Sequence, residues 1–214
     1  MYNEGLSSGT RGVFAGGFNP GYLNVIDFVT IQSLGNTNDF GDLSAQKFGM
    51  AACSNPTRGL YMGGAVSGTE NDTANQRVNI DFVTIASTGD AQDFGDLSEK
   101  RSQAGAGSNS IRGIVFGGRY APTQTLIDSV NIATLGNTTS FGNLSRSESR
   151  DGGAMASSTR VAHAGGDNLF PSTVNPVNTI EYVNIATEGD SVDFGDLTQA
   201  RKHLSGLSNG HGGL

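Results

Sequence analysis

A basic side chain follows the same acidic and aromatic motif in every quarter of the chain. The motif is DFGDL or a close variant, and the cations after it are Lys47, Arg101, Arg150 and Arg201. Four cations gathered at one surface would attract an acidic peptide or an anionic glycan. Alternatively, each cation pairs with an acid near the start of a strand, the set being Asp27, Asp81, Asp128 and Glu181. Charges present in every repeat generally serve the repeat itself, so the sequence favours ion pairing.

Acidic turns in three repeats offer the oxygen ligands that calcium takes. They combine Asn36 with Asp39 and Asp42, Asp90 with Asp93 and Asp96, and Asp190 with Asp193 and Asp196. Carboxylates that alternate along a strand point to opposite faces, and the spacing is not that of an EF-hand. Turn capping is therefore favoured over a metal site, and we expect neither a metal nor another cofactor.

Residues suited to covalent catalysis are scattered. Cys53 lies among small residues in GMAACSN with no histidine near it in sequence, which favours a buried packing thiol. The histidines His163, His203 and His211 do not have the spacing of a metal site. We therefore expect no catalytic residue. An enzyme remains the alternative of a different class, and it would require a polar cluster that differs between the repeats.

The charge balance excludes several partners. Among 214 residues, 13 are Lys or Arg and 20 are Asp or Glu, giving a net charge of −7 without a basic run. Such a chain repels a phosphate backbone, so nucleic acid is not expected as a partner. The sequence contains no recognisable signal peptide and no apolar run long enough to span a bilayer. We therefore expect a soluble chain that does not insert into a membrane, and the sequence does not indicate its cellular compartment.

An internal repeat must position all of these side chains. Strand-like segments IDFVTI, IDFVTI, IDSVNI and IEYVNI each precede a motif whose aromatic residue is Phe40, Phe94, Phe141 or Phe194. Successive aromatics lie 54, 47 and 53 residues apart, and each lies 14 residues after the first Ile of its strand. A period near fifty predicts a propeller or an array, and the constant spacing predicts a fixed hairpin.

Each repeat predicts four short strands, giving an all-β propeller with four blades of four antiparallel strands. We expect one domain over residues 1–214, with repeats at about 5–46, 47–100, 101–149 and 150–200 and a closing strand in 201–214. The tail resembles the opening segment, which predicts that residues 203–210 pair beside residues 11–17. Alternatively, the ring stays open and the extra inner strand meets another copy, or the repeats belong to a longer array.

Length variation is confined to one loop of each repeat, between a Gly-Gly pair and the next strand. These loops are residues 18–25, 65–79, 119–126 and 167–179. Insertions in repeat proteins gather on one face, often the binding face. The candidate binding residues on this face are Tyr22, Arg77, Arg119, Tyr120, Asn168, Leu169 and Phe170, together with the four cations described above.

The order of these features resembles the kelch repeat. A strand ending in Gly-Gly, a variable loop, a strand with an early acid, a tight turn, an aromatic and a basic residue follow one another in all four copies. Phe replaces the usual tryptophan, which makes the chain a divergent relative. The sequence IDFVTIASTGDAQDFGDL of the second repeat also resembles repeat proteins of marine cyanophages.

The resemblance implies a non-enzymatic structural or adhesive module of a virion or tail appendage. Its partner would be a protein, further copies within a larger particle, or a surface glycan. The first alternative is a propeller that recognises a peptide or glycan specifically. The second is a propeller enzyme.

Overall fold

Four twisted sheets, each made of four antiparallel strands, form the body of the chain in the computed structural model. The structure describes residues 4–67, 73–119, 125–146, 151–168 and 175–206. Within these ranges the helical content is one short 3₁₀ turn, Thr73–Asn75, and no helix is long and apolar enough to cross a membrane. The expected all-β architecture of four four-stranded blades is confirmed.

The blades follow one another along the chain, and each runs from an inner to an outer strand. Blade 1 contains β1 (Glu4–Ser7), β2 (Arg11–Ala15), β3 (Val25–Thr30) and β4 (Asn38–Asp42). Blade 2 contains β5 (Ala51–Ser54), β6 (Arg58–Met62), β7 (Asn79–Thr84) and β8 (Gln92–Asp96). Blade 3 contains β9 (Gly105–Ser108), β10 (Arg112–Phe116), β11 (Leu126–Asn131) and β12 (Thr139–Asn143).

Blade 4 contains β13 (Gly153–Ala156), β14 (Arg160–Ala164), β17 (Thr179–Asn184) and β18 (Val192–Asp196). Its long loop between β14 and β17 carries two strands of two residues each, β15 (Asp167–Asn168) and β16 (Asn175–Pro176), which pair with each other.

A β-bulge in the outer hairpin explains the DFG motif. In blade 1, Ile26 pairs with Gly41 and Asp27 with Asp39, so Phe40 is the extra residue. The same register shift recurs in the other three blades. A bulge re-aims a side chain, and here it turns the Phe40 ring edge-on against Phe28, with centroids 5.9 Å apart.

The hydrophobic core lies between blades rather than within one. We call the side of a blade that faces the next blade along the chain its leading face, and the opposite side its trailing face. One cluster joins Phe40 of blade 1 to Val83 and Ile85 of blade 2. Equivalent clusters contain Phe94 with Ile132 and Phe141 with Ile185. Each blade therefore buries its apolar surface only against its neighbours.

The same set of hydrogen bonds crosses all three junctions between blades. The hairpin glycine of the following blade donates its N–H to the bulge phenylalanine of the preceding one, as in Gly89 to Phe40 O at 2.6 Å. An arginine of the preceding blade donates to the isoleucine carbonyl of the following one, as in Arg11 Nη1 to Ile85 O at 2.9 Å. The equivalent arginines are Arg58, which donates to Ile132, and Arg112, which donates to Ile185.

The prediction that the tail forms the inner strand beside β2 is wrong for residues 203–206, and residues 207–210 lie outside the described residues. The inner strand beside Arg11–Ala15 is the opening segment Glu4–Ser7. Residues 203–206 form no strand and lie against blade 4, where Leu204 N donates to Asp151 O at 3.2 Å. The segment stays there because it continues directly from blade 4, whereas β1 already satisfies the edge of β2.

Candidate functional site

The variable loops and the connections between blades lie on one side of the molecule, which we call the loop face. The connection after β2 and the one after β4 leave an antiparallel blade at the same end, so both contribute to this face. The tight turns after β1 and β3 form the opposite side, the turn face. Candidate binding residues were expected on the loop face.

Two of the four repeat cations are buried in ion pairs instead of facing solvent. Lys47 Nζ lies 3.0 Å from Asp81 Oδ2, and Arg101 Nη2 lies 2.7 Å from Asp128 Oδ2. The Lys47 and Arg101 side chains are each 1% exposed. Burial lowers the pKa of Arg101, while Asp128 opposes that shift. Each of these cations therefore ties the connection that leaves one blade to the third strand of the next blade, and the pairing interpretation is confirmed for these two.

The acid of blade 4 and the cation that follows blade 4 do not repeat the Lys47 and Arg101 arrangement. In blade 4 the partner of Glu181 is Arg146, whose Nε lies 3.7 Å from Glu181 Oε2. Arg150 lies outside the described residues. Arg201 is exposed, and within the described ranges its guanidinium has no acidic partner. Its backbone carbonyl accepts a hydrogen bond from Gly166 N at 3.0 Å.

Aromatic rings stack in the loop of blade 1. Tyr22 lies flat against the buried ring of Phe48, with centroids 4.5 Å apart, and meets Phe18 edge-on at 5.4 Å. Phe18 is 61% exposed, whereas Tyr22 is half-buried. The expected residue, Tyr22, thus supports the neighbouring Phe18, which offers the larger free surface.

The remaining loop residues have mixed positions. The Arg77 guanidinium donates to the carbonyls of Ala74 and Gln76, so it braces its own loop. The backbone of Arg119 forms a bridge with Ser102, and that of Asn168 pairs with Asn175. Three further candidates lie outside the described residues: Tyr120, Leu169 and Phe170.

A cavity of about 360 Å³ lies among the inner strands of the four blades. Its walls are mostly Gly and Ala, but Glu4, Gln103, Asp151 and His203 also line it. The Gln103 amide nitrogen and oxygen are buried without a hydrogen-bond partner in the described part of the chain. Burial raises the pKa of Glu4 to about 8. His203 Nδ1 lies 3.6 Å from Asp151 Oδ1. These groups offer both donors and acceptors to a polar ligand.

Three of these polar residues occupy one repeat position. Gln103, Asp151 and His203 have φ of 57°, and the equivalent residue in blade 2 is Gly49 with φ of 60°. The left-handed backbone is constant while the side chain changes from blade to blade. Alignment of the repeats at this position could have revealed the cluster from the sequence, since here the repeats carry Gly, Gln, Asp and His in turn.

The acidic turns mainly join blades. Asp90 Oδ1 accepts the N–H of Asp42 at 3.0 Å, and Asp190 Oδ1 accepts that of Asn143 at 2.8 Å. No group of three His, Cys, Asp or Glu in the described ranges is placed to hold a metal ion. Cys53 is buried, as expected, and burial raises the pKa of its thiol to about 12.

Comparisons with known proteins bear on the fold alone. No family model matches the chain, and no curated protein sequence matches it. Many solved structures resemble it, among them that of YjhT, with a TM-score of 0.79 at 10% sequence identity. The match covers 96% of this chain and 73% of YjhT. Together with the four sheets, this similarity supports a β-propeller-like fold.

Proposed function

We propose that the chain is a non-enzymatic structural or adhesive propeller module, which contacts a protein or a surface glycan through its loop face. The resemblance of its repeats to cyanophage proteins is the support for proposing this role in a virion or tail appendage. The kelch resemblance agrees with the propeller-like arrangement of sheets.

One observation carries the proposal: constant and variable side chains have different positions. The constant cations Lys47 and Arg101 are buried in ion pairs that tie a connection to the following blade. Side chains that differ between repeats, such as Phe18 and Gln103, lie on the loop face or around the cavity at its centre. Side chains that are the same in every blade stabilise the fold. A ligand contacts the blades at different points, so the side chains that bind it differ between repeats.

The central cavity favours a second candidate, specific recognition of a glycan or peptide. The unpartnered Gln103 amide can donate and accept, and glycan hydroxyls do both. A cavity of about 360 Å³ is at the lower end of the range for small-ligand sites, so one sugar ring or a short side chain would fill it.

A glycan microarray with the fluorescently labelled chain tests the main proposal. Phe18→Ala should reduce binding to any recognised glycan about tenfold, because an exposed aromatic anchor contributes more than 1 kcal/mol to many interfaces. Leu34→Ala is the matched control, since Leu34 is fully exposed on the turn face. The labelled variants are also applied to host cells, to cover receptors absent from the array.

The two candidates differ in their response to Gln103→Leu. If the cavity is the site, Gln103→Leu abolishes binding and Phe18→Ala leaves it unchanged. If the loop face is the site, the reverse holds. Binding that Leu34→Ala weakens, but neither of the other variants does, would place the contact on the turn face and refute both.

A further inference from the structure

The two ends of the blade array expose surfaces that are buried at every internal junction. Phe194 on the leading face of blade 4 is 58% exposed, whereas its equivalents Phe40, Phe94 and Phe141 are 2%, 2% and 3% exposed. Ile31 on the trailing face of blade 1 is 56% exposed, whereas Ile85, Ile132 and Ile185 are 1%, 0% and 2% exposed. Among the residues that the structure describes, therefore, neither end of the array covers the other.

The space around the glycine that follows each bulge phenylalanine also differs between the internal junctions and the end of the array. A Cβ on Gly41 or Gly95 would lie 2.5 Å or less from the backbone of the next blade's hairpin. A Cβ on Gly195, the equivalent in blade 4, would have no described atom within 4 Å.

The polar groups at the two ends are complementary. On blade 4, the Arg160 guanidinium lies over the Tyr182 ring at 4.6 Å but donates to no carbonyl among the described residues. On blade 1, the carbonyl of Ile31 occupies the position that accepts such an arginine at the other junctions, as Ile85 does from Arg11.

A charged pair is divided between the ends in the same way. Asp27 on the trailing face of blade 1 has no ion-pair partner within the described ranges, although its equivalents Asp81 and Asp128 are paired. Arg201, which follows blade 4, is the equivalent of their partners Lys47 and Arg101, and it is exposed. Each end thus presents half of the phenylalanine, arginine and ion-pair contacts that recur at the internal junctions.

We propose that the leading face of blade 4 packs on the trailing face of blade 1 of a second copy of this chain. The junction is head-to-tail and repeats the internal ones. Phe194 is covered by the partner's hairpin, Arg160 donates to the partner's Ile31 carbonyl, and Arg201 pairs with the partner's Asp27. This interface is separate from the loop-face contact proposed above.

Complementary charge favours this occupant over an unrelated protein. The chain carries a net charge of −7, so two copies repel each other at long range. The leading face offsets this repulsion locally, because it presents Arg160 and Arg201 to an aspartate and a carbonyl. A head-to-tail contact closes into a ring if the rotation permits and otherwise continues as a filament. Two copies supply eight blades, which is within the propeller range.

Sedimentation velocity and native mass spectrometry over a concentration series test the junction. The wild-type chain should associate. Phe194→Asp and Ile31→Asp, each of which places a charge at one face of the junction, should each be monomeric. Both should keep the wild-type circular dichroism, since these side chains are exposed in a single copy.

Two acidic substitutions are matched controls. Val192→Asp changes a neighbour of Phe194 whose equivalents Asn38, Gln92 and Thr139 are exposed in internal blades. Leu34→Asp does the same near Ile31, because Thr88, Leu135 and Glu188 are exposed. Both controls should associate like the wild type.

Mixing the two monomeric variants gives the decisive result. Phe194→Asp retains a functional trailing face and Ile31→Asp a functional leading face, so the mixture should form a one-to-one dimer and stop there. A wild-type chain that stays monomeric, controls that dissociate as much as the variants, or a mixture that stays monomeric would each overturn the proposal.

Discussion

Asp128→Asn should destabilise the chain more than the same substitution at any exposed aspartate. The Asp128 carboxylate is fully buried and accepts from Arg101 Nη2 at 2.7 Å and from Ser98 Oγ at 2.7 Å. Loss of the Asp128 negative charge leaves the buried Arg101 guanidinium without its counter-charge. Removing one partner of a buried ion pair costs about 3–5 kcal/mol. Since 1 kcal/mol shifts Tm by about 2–4 °C for a chain of this size, Tm should fall by roughly 6–20 °C.

Urea unfolding followed by circular dichroism or tyrosine fluorescence measures this loss. Asp93→Asn is the control, because Asp93 is exposed and carries the same charge, and its effect should stay within about 0.5 kcal/mol. The double variant Arg101→Met, Asp128→Asn should be more stable than Asp128→Asn alone, because neither position then carries a buried charge without its counter-charge. Equal losses from Asp128→Asn and Asp93→Asn, or a double variant weaker than Asp128→Asn, would refute the reasoning.

Two further predictions concern buried groups. Burial, with a smaller contribution from Arg146, lowers the pKa of His163 to about 3 from an ordinary value near 6.5. Between these values the unfolded chain binds a proton that the folded chain does not, so stability should fall by up to about 5 kcal/mol as pH drops from 6.5 to 3. His163→Gln should flatten the urea midpoint against pH, and an unchanged slope would contradict this. Gly41→Ala should cost about 1–3 kcal/mol more than Gly195→Ala, since both glycines have similar positive φ but only Gly41 faces a neighbouring backbone. Equal midpoints for the two variants in dilute solution would argue against that contact.

The outer hairpins could be predicted because their signals are local. The constant 14-residue spacing fixes both strands and the turn, and the alternation of Ile, Phe and Val predicts burial on both faces of β7. The ion pairs of Lys47 and Arg101 were also predictable, since cation and acid recur together in the repeats.

Closure of the array could not be predicted from local signals. Residues 4–7 read EGLS and residues 205–208 read SGLS, so both segments fit the edge of β2 equally well. Which one pairs depends on where blade 4 and the tail that follows it lie relative to blade 1, and no local segment encodes that placement. The polar groups of the central cavity were missed for a related reason. Gln103 and Asp151 occupy a repeat position whose side chain changes from blade to blade, so no shared sequence pattern marks it.

Each repeat carries both contact segments of a junction, the one with the bulge glycine and the one with the hairpin glycine. A blade carries its DFG segment on one side and its Gly-Asn or Gly-Asp hairpin on the other, as in Gly95 facing Gly136. Recombination in register between copies of the repeat would therefore insert or remove a whole blade without a compensating substitution anywhere else. The number of blades can change in a single genetic event, and each new joint is already encoded in the segment that was copied.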